Sequence, residues 1–308
     1  MIDRPAARAV LFALTLAFAA RGAQAAFDAV PTGARAAAMG GSILAGRGDS
    51  AALFLNPAAV AGLESPEAYF QHNRFYAGLS GVGELSQSFA VFGAPTRLGV
   101  LAVGLGQYQA SGLLQERVIG VAFSRRWFDA FEAGVTGKFL HHRFMPGLDP
   151  AASTDPVFQN GASRGAFALD FGASVALSGS LTAGVVFRNL NRPDVGLTSP
   201  DPAPRELQTG ISYDVGYWGL RLTSDYLHRD GQRGAPGVGL EKTLEGGRVK
   251  FRVGATPDQF SGGGGLQFDR FGIDYAFTLN RHLLSDNAGT HKIGVRYRFG
   301  DAPARENR

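Results

Sequence analysis

The residues best suited to chemistry fall into a few short groupings. Gly161-Ala162-Ser163-Arg164-Gly165 has the spacing of a nucleophile elbow, which needs a strand before it, a helix after it and a converging histidine and carboxylate. Here it lies in a polar stretch ahead of a strand-like segment, so the serine has nothing to activate it. His141 and His142 are adjacent in another strand-like segment. Successive strand side chains point to opposite faces, so the two cannot close on one ion. The six histidines show no metal-ligand spacing. Gly262 to Gly265 would cradle a phosphate only at the start of a helix, and none follows; the run reads as a hairpin or a bent strand. With no cysteine in the chain, disulfides and thiolate metal sites are excluded. The sequence therefore points to a protein that is not an enzyme and uses no cofactor or metal. No lysine/arginine cluster interleaves with aromatics, which argues against nucleic acid as a partner.

What remains is a set of charges of both signs: Asp170, Asp214, Asp225, Asp274, Lys138, Arg221, Lys250, Arg252, Arg296 and Arg298. Their meaning depends on the elements that carry them. The 308 residues include 43 glycines, about twice the usual share, and only 18% are charged, below the roughly 25% of an ordinary soluble domain. Glycine costs about 1 kcal/mol per helical position relative to alanine, so a helical protein is disfavoured.

Short segments instead alternate with period two. Phe167, Leu169, Phe171, Ala173, Val175 and Leu177 share one face, and Asp170, Gly172 and Ser174 the other. Phe271, Ile273, Tyr275, Phe277 and Leu279 likewise oppose Gly272, Asp274, Thr278 and Asn280. About fourteen such strands follow residue 66, joined alternately by tight turns and by longer links, of which the extremes run 144–165 and 191–204. Trp127, Phe128, Phe131, Tyr217, Trp218 and Phe271 gather at the tight-turn end, where an interfacial girdle would lie. Even strand number, short turns at one end and outward-facing alternation are the pattern of a transmembrane barrel. The expected fold is all-β: an up-and-down antiparallel barrel of about 14 strands with the lipid bilayer of a bacterial outer membrane as its surroundings. The charges above then face a polar lumen, either as cross-strand ion pairs or as a selectivity element for a charged head group.

The ends fit this class. Arg4 and Arg8, the apolar run from Ala9 to Ala20 and the small residues Ala23 and Ala25 form a secretory signal, too short to span a membrane. Its removal takes away Arg4, Arg8, Arg21 and Asp3 and lowers the net charge of +4 by two. The last strand ends on Ile293, Val295, Tyr297 and Phe299, an alternation resembling the signal read by the barrel-assembly machinery, but a tail follows it. The expected organisation is a signal peptide over 1–25, an N-terminal hatch over 26–65, the barrel over 66–299 and a C-terminal tail over 300–308. Arg47-Gly48-Asp49, which spells an adhesion tripeptide, falls inside the hatch.

The hatch carries a resemblance. Gly33-Ala34-Arg35, Met39-Gly40-Gly41, Asp49-Ser50-Ala51, Asn56-Pro57-Ala58 and Gly62-Leu63 occur in the order seen in the PorV/PorQ family. More distantly the stretch is similar to FadL-type transporters of hydrophobic molecules. The FadL resemblance implies that Asn56, Pro57 and Ala58 meet an inward kink of the third strand, where a lateral gap releases apolar ligands; Gly104 and Gly106 supply the small residues for such a break. Arg47-Gly48-Asp49 departs from the family's acidic pair. Two functions follow from the resemblance: passage of small hydrophobic molecules, or a non-conducting scaffold that binds secreted or surface proteins.

Cleavage after Ala25 predicts a mature chain beginning at Ala26. Intact mass of protein extracted from outer membranes tests this; a species retaining Arg4 and Arg8 would overturn it.

Overall fold

The computed structural model describes residues 27, 30–79, 84–145, 155–282 and 288–300. The signal segment with Ala25 and Ala26, part of the 144–165 link and the tail beyond Gly300 lie outside the described residues.

Fourteen antiparallel strands close into a barrel in sequence order, the first pairing with the last. They are β1 (Glu67–Phe75), β2 (Leu85–Pro95), β3 (Val100–Ala110), β4 (Leu114–Trp127) and β5 (Phe131–Phe144). Next come β6 (Ser163–Ala176), β7 (Leu181–Arg188), β8 (Glu206–Val215), β9 (Leu220–Arg229) and β10 (Ala235–Leu244). The last four are β11 (Val249–Ala255), β12 (Gln259–Phe268), β13 (Phe271–Asn280) and β14 (Thr290–Arg298). Full closure leaves no free edge, which is what hydrocarbon demands of a sheet.

The period-two pattern produces the two surfaces. Phe70, Leu105, Ile119, Phe167, Leu169, Phe251 and Ile273 stand exposed on the outside. Asp170, Asp225, Glu241, Arg252, Asp274 and Arg296 are buried inside. Large apolar groups left in the open are unfavourable in water but not against lipid, so the exterior is a membrane-facing belt. Trp218, Tyr217 and Phe128 stand exposed at the tight-turn rim.

Two details depart from the sequence pattern. The glycine run 262–265 is no hairpin: it sits within β12, paired on both sides with β11 and β13. Neighbouring backbones hold it extended, information that glycine itself does not carry. Two links at the long-loop rim, 111–113 and 256–258, are as short as the turns at the other rim.

The barrel should resist dodecyl sulfate until heated, seen as a mobility change on boiling. Leu169, exposed midway along β6, should cost about 2–4 kcal/mol as Leu169→Arg in a refolding titration. Leu177→Arg, at the tight-turn rim, should cost about 0–1 kcal/mol. Equal costs would contradict the depth assignment.

Candidate functional site: the plugged lumen

The N-terminal segment folds inside the barrel, and its own sequence gives it little regular structure. Apart from a helix α1 (Ala34–Ala38), a 3-10 turn at Ser50–Ala52 and a helix α2 (Pro57–Val60), it is a succession of turns. Asp49 caps the turn by accepting from Ala51 N, and Asn56 caps α2 by accepting from Ala58 N at 3.0 Å, with Pro57 in the first helical position. Such caps satisfy donors that have no partner in the helix itself.

The remaining backbone groups are met by the wall. Gln71 accepts from Ala34 N at 2.6 Å, Asp225 from Ile43 N at 3.0 Å and Glu67 from Ser50 N at 3.0 Å. Ser124 donates to Pro57 O at 2.7 Å, Arg188 to Leu55 O at 2.9 Å and Gln208 to Gly41 O at 3.0 Å.

The inward charges form cross-strand and hatch-to-wall ion pairs. Arg35 makes a bidentate contact with Glu241, at 2.6 and 2.9 Å. Glu241 also takes Arg252 at 2.6 Å, and Arg252 reaches Asp274 at 2.6 Å. Arg296 joins Asp274 to Asp49 of the hatch, and Arg298 pairs with Glu67 at 3.1 Å. A second group joins Arg47 and Arg126 to Glu132 at 2.8 and 2.7 Å. Lys138 pairs with Asp170 at 2.8 Å and Arg221 with Asp214 at 2.6 Å. The adhesion-like tripeptide is thus internal, with Arg47 and Asp49 both committed to the wall. His142 is buried inside while His141 lies on the opposite face.

Room for the hatch comes from glycines paired across strands. Gly104 faces Gly120, Gly134 faces Gly172, Gly184 faces Gly210 and Gly239 faces Gly254. A Cβ on Gly104 or Gly120 would sit 2.9 or 2.8 Å from the Phe54 ring. One on Gly134 would stand 2.7 Å from the Pro57 carbonyl carbon, and one on Gly172 2.5 Å from Asn56 Oδ1. On Gly239 it would lie 2.6 Å from Met39 O.

These contacts relocate the expected meeting point. Asn56, Pro57 and Ala58 pack on the Gly134/Gly172 pair of β5 and β6, not on β3. Phe54, which the sequence did not single out, occupies the place opposite Gly104. β3 pairs residue for residue with β2 and β4 from Val100 to Ala110, so it is continuous across Gly104 and Gly106 in this state. Continuous inter-strand pairing leaves no kink for the Asn-Pro turn to fill. Inward glycines on neighbouring strands mark the seat of the hatch, but only strand register sets which of them face each other.

Above the hatch, toward the long-loop rim, lies a vestibule of 480 Å³ floored by Thr32, Gly40, Gly41 and Leu55 and ringed by charged groups including Arg188, Glu206, Asp225 and Lys292. A side pocket of 40 Å³ shares Val30, Gln87 and Arg188 with it and is lined by Phe27, Pro31, Phe54, Gly106, Val118 and Leu140. On the outside of the same wall runs an apolar groove of 640 Å³, bordered by Phe70, Ala90, Phe92, Val103, Gly104, Leu105 and Ile119.

The closed fourteen-strand barrel with its N-terminal segment folded inside is a fold shared with solved channel and transporter structures. Among solved structures it is similar to the CymD monoaromatic hydrocarbon channel at 15% identity and a TM-score of 0.66, covering 90% of this chain and 100% of that one. The Ralstonia pickettii toluene transporter TbuX matches at 13% identity and 0.65, covering 89% and 100%. A Pseudomonas aeruginosa FadL homologue matches at 13% and 0.60, covering 90% and 100%. At such identities the likeness is one of fold. No protein-family model and no curated protein matches the chain.

Gly134→Val should dislodge Pro57 and loosen the hatch, while Gly137→Val, which meets nothing within 4 Å, should not. Tryptic cleavage after Arg35 or Arg47, mapped by mass spectrometry on folded protein, should increase at least tenfold in the first variant only.

Proposed function

We propose that the barrel passes small hydrophobic molecules across the outer membrane of a bacterium, releasing them sideways into the surrounding hydrocarbon. The observation that carries this is the wall beside β3 and β4. A pocket on its inner face, lined by Phe27, Phe54, Val118 and Leu140 together with Glu116, Lys138 and Arg188, and an apolar groove on its outer face stand back to back. Gly104, Gly106 and Gly120 place no side chain on the inner face between them. An apolar solute gains by entering lipid rather than the water beyond the pore. The matched channel and transporter structures are described by their handling of monoaromatic hydrocarbons and toluene, which is the solute class this reading favours.

The pocket of 40 Å³ is smaller than the roughly 150 Å³ that holds benzene in a protein interior. Passage therefore requires Phe54 and the segment carrying Phe27 and Val30 to shift and the wall near Gly106 to part. The break at Gly104 and Gly106 belongs to that open state, and strand glycines weaken the sheet where it would form.

A second reading is favoured by the continuity of β3 and by the anchored hatch: a non-conducting scaffold of the PorV/PorQ kind that holds secreted or surface proteins. The residue-level likeness over 33–63 supports it. Gly104→Val with Gly106→Val separates the two. Under the passage reading, uptake of a hydrophobic dye falls at least fivefold while heat-dependent mobility is unchanged. Under the scaffold reading uptake is unaffected, and shortening the 144–165 loop abolishes co-purification of a protein partner. Loss of neither activity would remove both.

A further inference from the structure

We infer that the outside of the barrel over β14 and β1–β5 is a binding site for the phosphorylated, many-chained glycolipid of the outer leaflet, lipid A. Two features meet there. The apolar groove of 640 Å³ crosses β14, β1, β2, β3 and β4, with the small Ala90 between Phe70 and Leu105 in its outward row. Strands lie about 4.8 Å apart, so five of them span about 19 Å. That width seats several acyl chains side by side, more than a two-chain lipid covers.

The next two outward rows toward the long-loop rim change character. His72, Ser88, Gln107, Arg117 and His141 lie in register across β1–β5, and beyond them Arg74, Ser86, Gln109, Gln115 and Arg143. Two strand residues advance about 7 Å, so these groups sit one head-group step above the groove. Neither row contains a carboxylate. Arg74, Arg117 and Arg143 are exposed, and none forms an ion pair among the described residues. Arg117 donates through Nε to Gln107 at 3.0 Å, which fixes the guanidinium against the wall with its terminal nitrogens free to take a phosphate.

The two arginine-bearing rows lie on this arc. On the opposite side the outward residues near the same rim include Tyr226, Val238 and Phe260, with His228 beyond Tyr226 and a single arginine, Arg281, stacked over the Phe260 ring. A general affinity for the membrane surface would not be one-sided. The charge pattern calls for an anion at head-group height, and the groove beneath it calls for chains attached to that anion. The site faces lipid and does not depend on whether the lumen conducts.

The test uses the mature protein, folded in detergent and titrated with diphosphoryl lipid A, bound lipid being counted by native mass spectrometry. Wild type should retain lipid A at least tenfold better than dioleoyl phosphatidylglycerol. The triple substitution Arg74→Gln, Arg117→Gln, Arg143→Gln should lower lipid A retention at least tenfold, and Ala90→Phe, which fills the groove, should do the same. Both variants should keep heat-dependent mobility, and Arg74→Gln with Arg143→Gln, neither of which lines the side pocket, should lower lipid A retention while keeping dye uptake, so that failure here is distinct from failure of the passage reading. Undiminished lipid A binding by the triple variant would falsify the site. Equal, arginine-dependent retention of phosphatidylglycerol would overturn the glycolipid as its occupant.

Discussion

An irregular chain held at membrane depth must have its backbone hydrogen bonds satisfied by protein, because no bulk water is there to take them. The hatch is such a chain, and the barrel interior follows from it. Peptide groups that its turns leave unpaired meet wall side chains: Gln71 at Ala34, Asp225 at Ile43, Arg188 at Leu55 and Ser124 at Pro57. A buried peptide group left without a partner costs about 1–3 kcal/mol. The lumen polarity that looks from sequence like a water channel is here largely a lining shaped to fit the hatch.

Sterics and charge act together in that fit. The facing glycine pairs bring the hatch backbone within van der Waals reach of the sheet, and the ion-pair chain from Arg35 through Arg296 to Arg298 fixes its position. Buried ion pairs are a weak source of net stability, since desolvation offsets most of their attraction. Removing one partner is nonetheless expensive, typically about 3–5 kcal/mol. The network therefore specifies one seat for the hatch more than it strengthens the barrel. Glu132, shared by Arg47, Arg126 and Ser174, is the same device at the tight-turn rim.

Where the hatch presents an apolar group instead of a peptide, the wall is bare. Phe54 lies against Gly104 and Gly120, with the side pocket beside it and the lipid-facing groove behind. Polar anchors hold the hatch on most sides; here the Phe54 ring itself is held by packing, flanked by Ser124 of β4 donating to Pro57 O and Glu116 of β4 accepting from Phe27 N. A plug held in this way can yield locally without losing its ion pairs, as the proposed passage requires of Phe54, of the segment carrying Phe27 and Val30 and of the wall near Gly106.

Alternation of apolar with polar residues determined the barrel by itself, because side-chain period two and the demand for closure in lipid leave few other folds. The glycine content and the paired signs of the inward charges were equally visible. Which glycine faces which was not, since Gly134 and Gly172 become neighbours only through strand register. Nor could the sequence place Asn56-Pro57-Ala58 on β5 and β6 instead of β3, or choose Phe54 for the glycine wall. Those contacts join residues far apart in the chain, and only closure of the barrel around the hatch sets their distances. The cationic arc of Arg74, Arg117 and Arg143 was hidden for the same reason: each is an isolated outward residue until register aligns the strands that carry them.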